Sequence, residues 1–164
     1  MKSLLLLRHA KSSWKQPELP DHDRPLKRRG RRDAPRMGRL LLREGLVPDL
    51  ILTSSAVRAR ETAEAVATAC GESAELRPLR ELYLAGPGDY ALLLGALPDG
   101  NDRVMVVGHN PTLEELLQLL TGARETMPTA ALALVELSIE SWDELPLDGS
   151  ARLVRLWRPR ELSD

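Results

Sequence analysis

Apolar residues fall in short blocks along the chain, separated by polar connectors rich in glycine and proline. The first block, Leu4 to Leu7, is four consecutive leucines ended at once by Arg8 and His9. A run that short, followed by the turn-like Ser12-Ser13, predicts a strand covered on both faces, as strands of parallel sheets are. Val47 to Thr53 and Arg103 to Val107 read the same way. Leu76 marks a short third strand, with Arg77 to Tyr83 extended or looped after it. Ala131 to Ile139 predicts a further strand, and Arg152 to Trp157 alternates as a last, edge strand. Between these blocks the period is helical. From Lys27 to Glu44, Ala34, Met37, Leu40 and Leu41 share one face and arginines the other. Pro35 suits the first turn of a helix, so the regular part is expected to begin near Asp33 as cap and to stop at Gly45. An alanine-rich helix runs from Ala56 to Ala69, and another, capped by Asp89, reaches Leu97. A fourth starts with Asn110 as cap and Pro111 in first position, and passes through Leu120 to Gly122.

Strands alternating with helices predict an α/β fold: a three-layer sandwich with a mostly parallel sheet flanked by helices and an antiparallel member near the C-terminus. No repeat or linker divides the chain, so residues 1–164 are expected to be a single domain of ordinary size. With 43% hydrophobic and 29% charged residues, the composition is that of a globular protein. A net charge of −1 speaks against a generally basic nucleic-acid binder. Charge is nonetheless uneven, since Asp33 is the only acid between Arg24 and Arg43. The single cysteine, Cys70, permits no internal disulfide and reads as a packing residue, so a cytoplasmic, reducing location is expected. The leucine block is too short for a secretory signal and no stretch approaches a membrane span. Gly86-Pro87-Gly88 reads as a turn, and there is no Walker A loop or dinucleotide fingerprint. The connector Trp14 to Leu26, punctuated by Pro17, Pro20 and Pro25, is longer than usual and is expected to wall a pocket. Its cluster Asp21-His22-Asp23-Arg24 lacks the further ligands a metal site needs, so no metal is expected.

The chemistry gathers at the carboxyl ends of the predicted strands, where open α/β sheets bind ligands. Arg8 and His9 follow the first strand, Ser54 and then Arg58 the second, and His109 the Arg103 to Val107 strand. Two histidines and two arginines leaving one sheet edge point to an anion site with a nucleophile or an acid/base inside it.

These residues carry a family resemblance. Leu7-Arg8-His9-Ala10-Lys11-Ser12 resembles the Arg-His-Gly signature of the histidine phosphatase superfamily, which has the phosphoglycerate mutase-like fold. Ser54-Ser55-Ala56-Val57-Arg58-Ala59-Arg60-Glu61-Thr62-Ala63 resembles its second motif, and Val107-Gly108-His109-Asn110-Pro111 its second-histidine motif. The order is right and the match spans residues 4 to about 120. Arg-His-Ala-Lys, Arg24-Pro25-Leu26, Arg29-Gly30 and the short chain are similar to the SixA-type phosphohistidine phosphatase branch. Ala10 and Lys11 depart from the general signature in the direction of that branch.

The resemblance implies a cofactor-free phosphatase in which His9 attacks phosphorus and forms a phosphohistidine that water hydrolyses. Arg8 and Arg58 would hold the phosphoryl oxygens, with a protonated His109 as a further donor and Lys11, Ser12 and Arg24 at the periphery. Glu81 is the positional candidate for the proton donor that an alcohol leaving group needs; a phosphoramidate nitrogen depends on it less. The expected substrate is a phosphohistidine-bearing protein, since there is little chain for a lid. The alternatives are a small phosphorylated metabolite turned over by a phosphomonoesterase or mutase-like enzyme, and a non-catalytic phosphate-binding module.

Overall fold

Leu4 to Leu7 are fully buried within β1 (Lys2–Arg8), as a strand covered on both faces requires. In the computed structural model, which describes residues 1–163, β1 pairs in parallel with β4 (Arg103–Gly108) and antiparallel with β5 (Leu132–Leu137). β4 pairs in parallel with β2 (Leu50–Ser54), β2 with β3 (Glu75–Leu79), and β5 antiparallel with β6 (Arg152–Trp157). The order is β3-β2-β4-β1-β5-β6. Only β5 opposes the others, because β6 reverses it in turn.

Successive leucines of β1 point to opposite faces. Leu5 and Leu7 pack with Met37 and Leu41 of α1 (Arg28–Arg43) and Ala63 and Val66 of α2 (Val57–Ala69). Leu4 and Leu6 pack with Tyr90 and Leu94 of α3 (Pro87–Gly95) and Leu113 and Leu117 of α4 (Thr112–Thr121). The three layers follow from handedness. Crossovers between parallel strands are right-handed in nearly all sheets. From β1 to β2 to β3 the chain moves toward one edge, which sets α1 and α2 on one face. From β3 back to β4 it reverses, which sets α3 on the other. β1 and β4 are therefore neighbours whose following helices depart to opposite faces, and a crevice opens at their carboxyl ends.

Several boundaries differ from those the sequence predicts. α1 begins at Arg28, so Asp33 is not its cap; Asp33 is buried inside it with Oδ1 3.0 Å from Arg36 Nη1. The early turns are held by tertiary seating: Lys27 N donates to Lys11 O at 2.9 Å, and Gly30 lies against that carbonyl. This seating outweighs the hydrogen bond that Pro35 removes from the helix interior. α3 begins at Pro87, and Asp89 caps it from inside the first turn, Oδ2 accepting Gly86 N at 2.9 Å. α4 begins at Thr112 with Pro111 at its N-cap position, and Asn110 bonds elsewhere. Pro78 lies within β3, which tolerates it as an edge strand. Among the described residues, no helix is long and apolar enough to cross a membrane.

Alanine is ordinarily better than glycine in a helix by about 1 kcal/mol. At Gly30 the sign should reverse, because an added Cβ would collide with the Lys11 carbonyl, which the Lys27 amide holds in place. Gly30→Ala is expected to cost about 1–3 kcal/mol, seen as a lower urea midpoint at unchanged slope. A midpoint equal to or above the parent's would show that the contact relaxes freely.

Candidate active site

The pairing of β1 with β4 places Arg8 level with Gly108, and His9 N donates to Gly108 O at 3.0 Å. His9 and His109 therefore leave adjacent strands at one height, with ring centroids 5.2 Å apart. Ser54, at the end of β2, sets its Oγ 2.8 Å from His109 Nε2. Arg58 enters near the start of α2. Thr62 ties that helix to the β1 end, its Oγ1 accepting Ala10 N at 3.0 Å and donating to Arg58 O at 2.7 Å. From the far side, Ala130 N bonds the carbonyls of Arg8 and His9 at 3.1 Å each, and Met127 O accepts from Arg8 Nη1 at 3.2 Å. Asn110 fixes this segment, its Nδ2 donating to Met127 O at 2.8 Å and to Glu114 Oε2 at 2.9 Å. Arg8, His9, Arg58 and His109 border one cavity of about 420 Å³. Lys11, Ser12 and Arg24 border it too.

His9 is 7% exposed, with Nδ1 2.8 Å from Ala10 O. A carbonyl only accepts, so Nδ1 carries the hydrogen and Nε2 keeps a lone pair. Burial pushes the His9 pKa down to about 3; the charges of His109, Arg58 and Arg8 add to this, against the Ala10 carbonyl. Burial, with Arg58 next, takes His109 down to about 4 against the pull of Asp21. Both rings therefore favour the neutral form at neutral pH, and a bound anion would draw a proton back toward His109. Arg8 Nε and Arg58 Nε are buried without an acceptor among the described residues. Burying an unpaired N–H is costly, so two on one cavity mark it as a place for an anion to accept them.

Asp21 is the counter-charge. Its carbonyl accepts Arg58 Nη1 at 2.8 Å, and its carboxylate accepts Arg58 Nη2 at 3.0 Å, Arg24 Nε at 3.1 Å and the Tyr83 hydroxyl at 2.7 Å. Partial burial pushes its pKa up, but the bonds from Tyr83 and Arg24 and the charge of Arg58 prevail and hold it at about 2. Arg24 Nη1 continues to Ser12 Oγ at 2.8 Å, and its guanidinium lies 3.5 Å from the Trp14 ring centre. His22 Nε2 meets Ser55 Oγ at 2.9 Å, and its ring packs edge-on with Tyr83. The Asp21 to Arg24 cluster is thus a clamp that ties the long loop to α2, and Trp14 and Arg24 make the loop a wall of the cavity.

Glu81 is the sequence candidate that the fold leaves out. In the 3-10 turn Arg80–Leu82, Leu82 turns into the core, Tyr83 turns to Asp21, and Glu81 is exposed and does not border the cavity. Tyr83 and Thr129 border it instead. Tyr83 stood in the sequence beside Glu81 with nothing to rank it higher. Thr129 lies in an irregular connector where no periodicity signals a role.

Residues 4–85 match the family model described as the histidine phosphatase superfamily, branch 1. An uncharacterized chloroplastic protein of Arabidopsis thaliana is 36% identical over 151 residues, which cover 86% of this chain and 69% of that protein. An uncharacterized protein of Mycobacterium leprae is 32% identical over 167 residues, covering 94% of this chain and all of that protein (100%). Among solved structures, SixA of Agrobacterium tumefaciens, named as a phosphohistidine phosphatase, superposes with a TM-score of 0.83 at 30% identity, over 96% of this chain and 98% of that one.

The depressed histidine values have a direct check. A lowered pKa keeps the neutral form present to lower pH, so the ring nitrogens of His9 and His109 should give neutral-imidazole 15N shifts down to about pH 5. Midpoints near the ordinary value of 6.5 would overturn this account of the site's electrostatics.

Proposed function

The chain belongs to the histidine phosphatase superfamily, and from that membership we propose that it hydrolyses phosphohistidine in a protein, in the cytoplasm and without a metal ion, with His9 as nucleophile. The observation that carries this reading is the state of His9: neutral, its Nδ1 hydrogen held by the Ala10 carbonyl, its Nε2 lone pair left in a cavity it shares with the half-buried Arg8 and the buried Arg58. The solved relative named as a phosphohistidine phosphatase supports the same substrate class.

In the first step Nε2 of His9 attacks phosphorus in line with the bond to the leaving nitrogen. The P–N bond breaks, its electron pair stays on the leaving imidazole, and phosphorus becomes bonded to His9. Arg8 and Arg58 donate to the equatorial oxygens as charge spreads over them, and the idle Nε groups of both find acceptors there. A neutral His109 has one N–H to add. In the second step water attacks phosphorus, the bond to His9 breaks, and inorganic phosphate leaves with the water's oxygen.

A phosphorylated imidazole protonated on its other nitrogen departs as a neutral ring. Such a leaving group needs no acid at the breaking bond, which agrees with Glu81 lying outside the cavity. An ester-specific enzyme needs that acid, and a simple binding module needs no poised nucleophile.

His9→Ala is expected to lower turnover of a phosphohistidine protein by at least about a thousandfold, and Arg58→Ala by about a hundredfold. Glu81→Gln should stay within about twofold of the parent, as should the parent in excess chelator. Residual activity in His9→Ala near the parent's, measured as phosphate release, would end this reading. A large loss in Glu81→Gln on p-nitrophenyl phosphate would favour the ester phosphatase.

A further inference from the structure

The cavity's outer border carries side chains that the phosphoryl chemistry does not use. Leu84 is 85% exposed and Trp14 70% exposed. Leu84 also holds a left-handed backbone, φ 57°, which a branched side chain rarely adopts. Trp14 is fixed in orientation by stacking on the buried Arg24. Two large apolar groups held in solvent beside a polar cavity are what an interface anchor looks like before its partner arrives.

The flank beside them is cationic. The chain after β1 and the chain entering α1 form a short ribbon: Ser12 bridges Leu26, Ser13 N donates to Pro25 O at 2.8 Å, and Lys27 N to Lys11 O at 2.9 Å. Lys15, Lys27 and Arg28, on or next to that ribbon, are exposed, and their side chains have no hydrogen-bond or ion-pair partner among the described residues. In the loop between, Asp21 and Asp23 are engaged in the clamp, which leaves Glu18 as its one unpaired exposed carboxylate.

We propose that this border is a docking surface for an acidic protein that carries the phosphohistidine, with Leu84 and Trp14 as apolar anchors and Lys15, Lys27 and Arg28 as the charged flank. The inference rests on the phosphohistidine reading above and adds to it the partner's chemistry. A small phosphoryl donor within the cavity of about 420 Å³ leaves Lys15, Lys27 and Arg28 in water, since they lie outside its lining, and meets at most the inner edges of the exposed Leu84 and Trp14. A protein surface covers them while its histidine reaches His9. Unpaired cations around an apolar anchor favour carboxylates on the partner, steering encounter and fixing orientation.

The test compares kcat/KM on two donors: a small acidic protein phosphorylated on one surface histidine, and free phosphohistidine. Lys15→Glu/Lys27→Glu/Arg28→Glu should lower kcat/KM on the acidic protein about tenfold at low salt and flatten its salt dependence. Leu84→Asn, which tolerates the left-handed backbone, should lower it about fivefold at any salt. On free phosphohistidine the charge-reversed variant should stay within about twofold of the parent, and Leu84→Asn should lose clearly less than it loses on the protein. Equal losses on the two donors would make these residues part of the cavity itself, and no loss on either would make the surface idle; both results overturn the proposal. A parent that hydrolyses free phosphohistidine but not the protein overturns docking alone. A parent inactive on both removes the phosphohistidine reading, and docking with it.

Discussion

Two guanidinium groups brought together below a protein surface repel each other and lose water, and that cost organises this site. Arg8 and Arg58 meet it with separate carboxylates: the charge of Glu114 acts on Arg8, and Asp21 contacts Arg58 directly and lies well below the usual carboxylate pKa. A carboxylate bordering the cavity itself would cancel the field that an incoming anion needs. Without Asp21 the clamp would open and Arg58 would be unheld. The same positive field, added to burial, drives the protons off His9 and His109. The neutral state of His9 and the welcome for an anion therefore have one electrostatic cause.

The sheet makes that arrangement rigid. Each of the four groups sits at or just past the end of a buried strand or at the start of a helix, and each end is tied to the next. Gly108 O takes the His9 amide, Thr62 links Ala10 to Arg58, and Ala130 closes over the carbonyls of Arg8 and His9. Gly108 itself has no room for a side chain, since a Cβ there would meet the Tyr90 hydroxyl. Tyr90 is buried and its hydroxyl donates to Leu82 O at 3.3 Å, which anchors the turn that presents Tyr83 to Asp21. The core on the α3 side and the clamp on the α2 side thus share one chain of contacts.

Much of this was legible in the residues. Leucine and valine blocks that stop abruptly at Arg8-His9 and Gly108-His109 announce strand ends, and strand ends in an α/β sheet are where ligands bind. What was not legible depends on long-range contacts with no periodic trace. Glu81 and Tyr83 are equivalent in the sequence; the burial of Leu82 decides which of them faces the site. Asp21 looked like part of a weak metal cluster because its partners, Arg58 and Tyr83, are far along the chain. α1 begins earlier than its cap residues suggest because Lys27 and Gly30 are seated on Lys11, a contact no local propensity reports.

The low basicity of His9 bears on both halves of the proposed reaction. When phosphorus moves from one imidazole to another, the nitrogen broken and the nitrogen formed are of the same kind, so that step is uphill only by the lower basicity of His9. The following attack by water is helped when His9 is a good leaving group, and a ring that binds its proton weakly also holds phosphorus weakly. A nucleophile depressed to about 3 gives up some attacking power in the first step and gains leaving ability in the second. Orientation by the Ala10 carbonyl offsets the loss, since a ring already aimed at phosphorus needs less intrinsic reactivity. For an alcohol leaving group the first step would be uphill and would need an acid at the oxygen. Among the described residues no carboxylic acid borders the cavity, and the proposed phosphohistidine substrate, whose leaving group resembles the proposed nucleophile, asks for none.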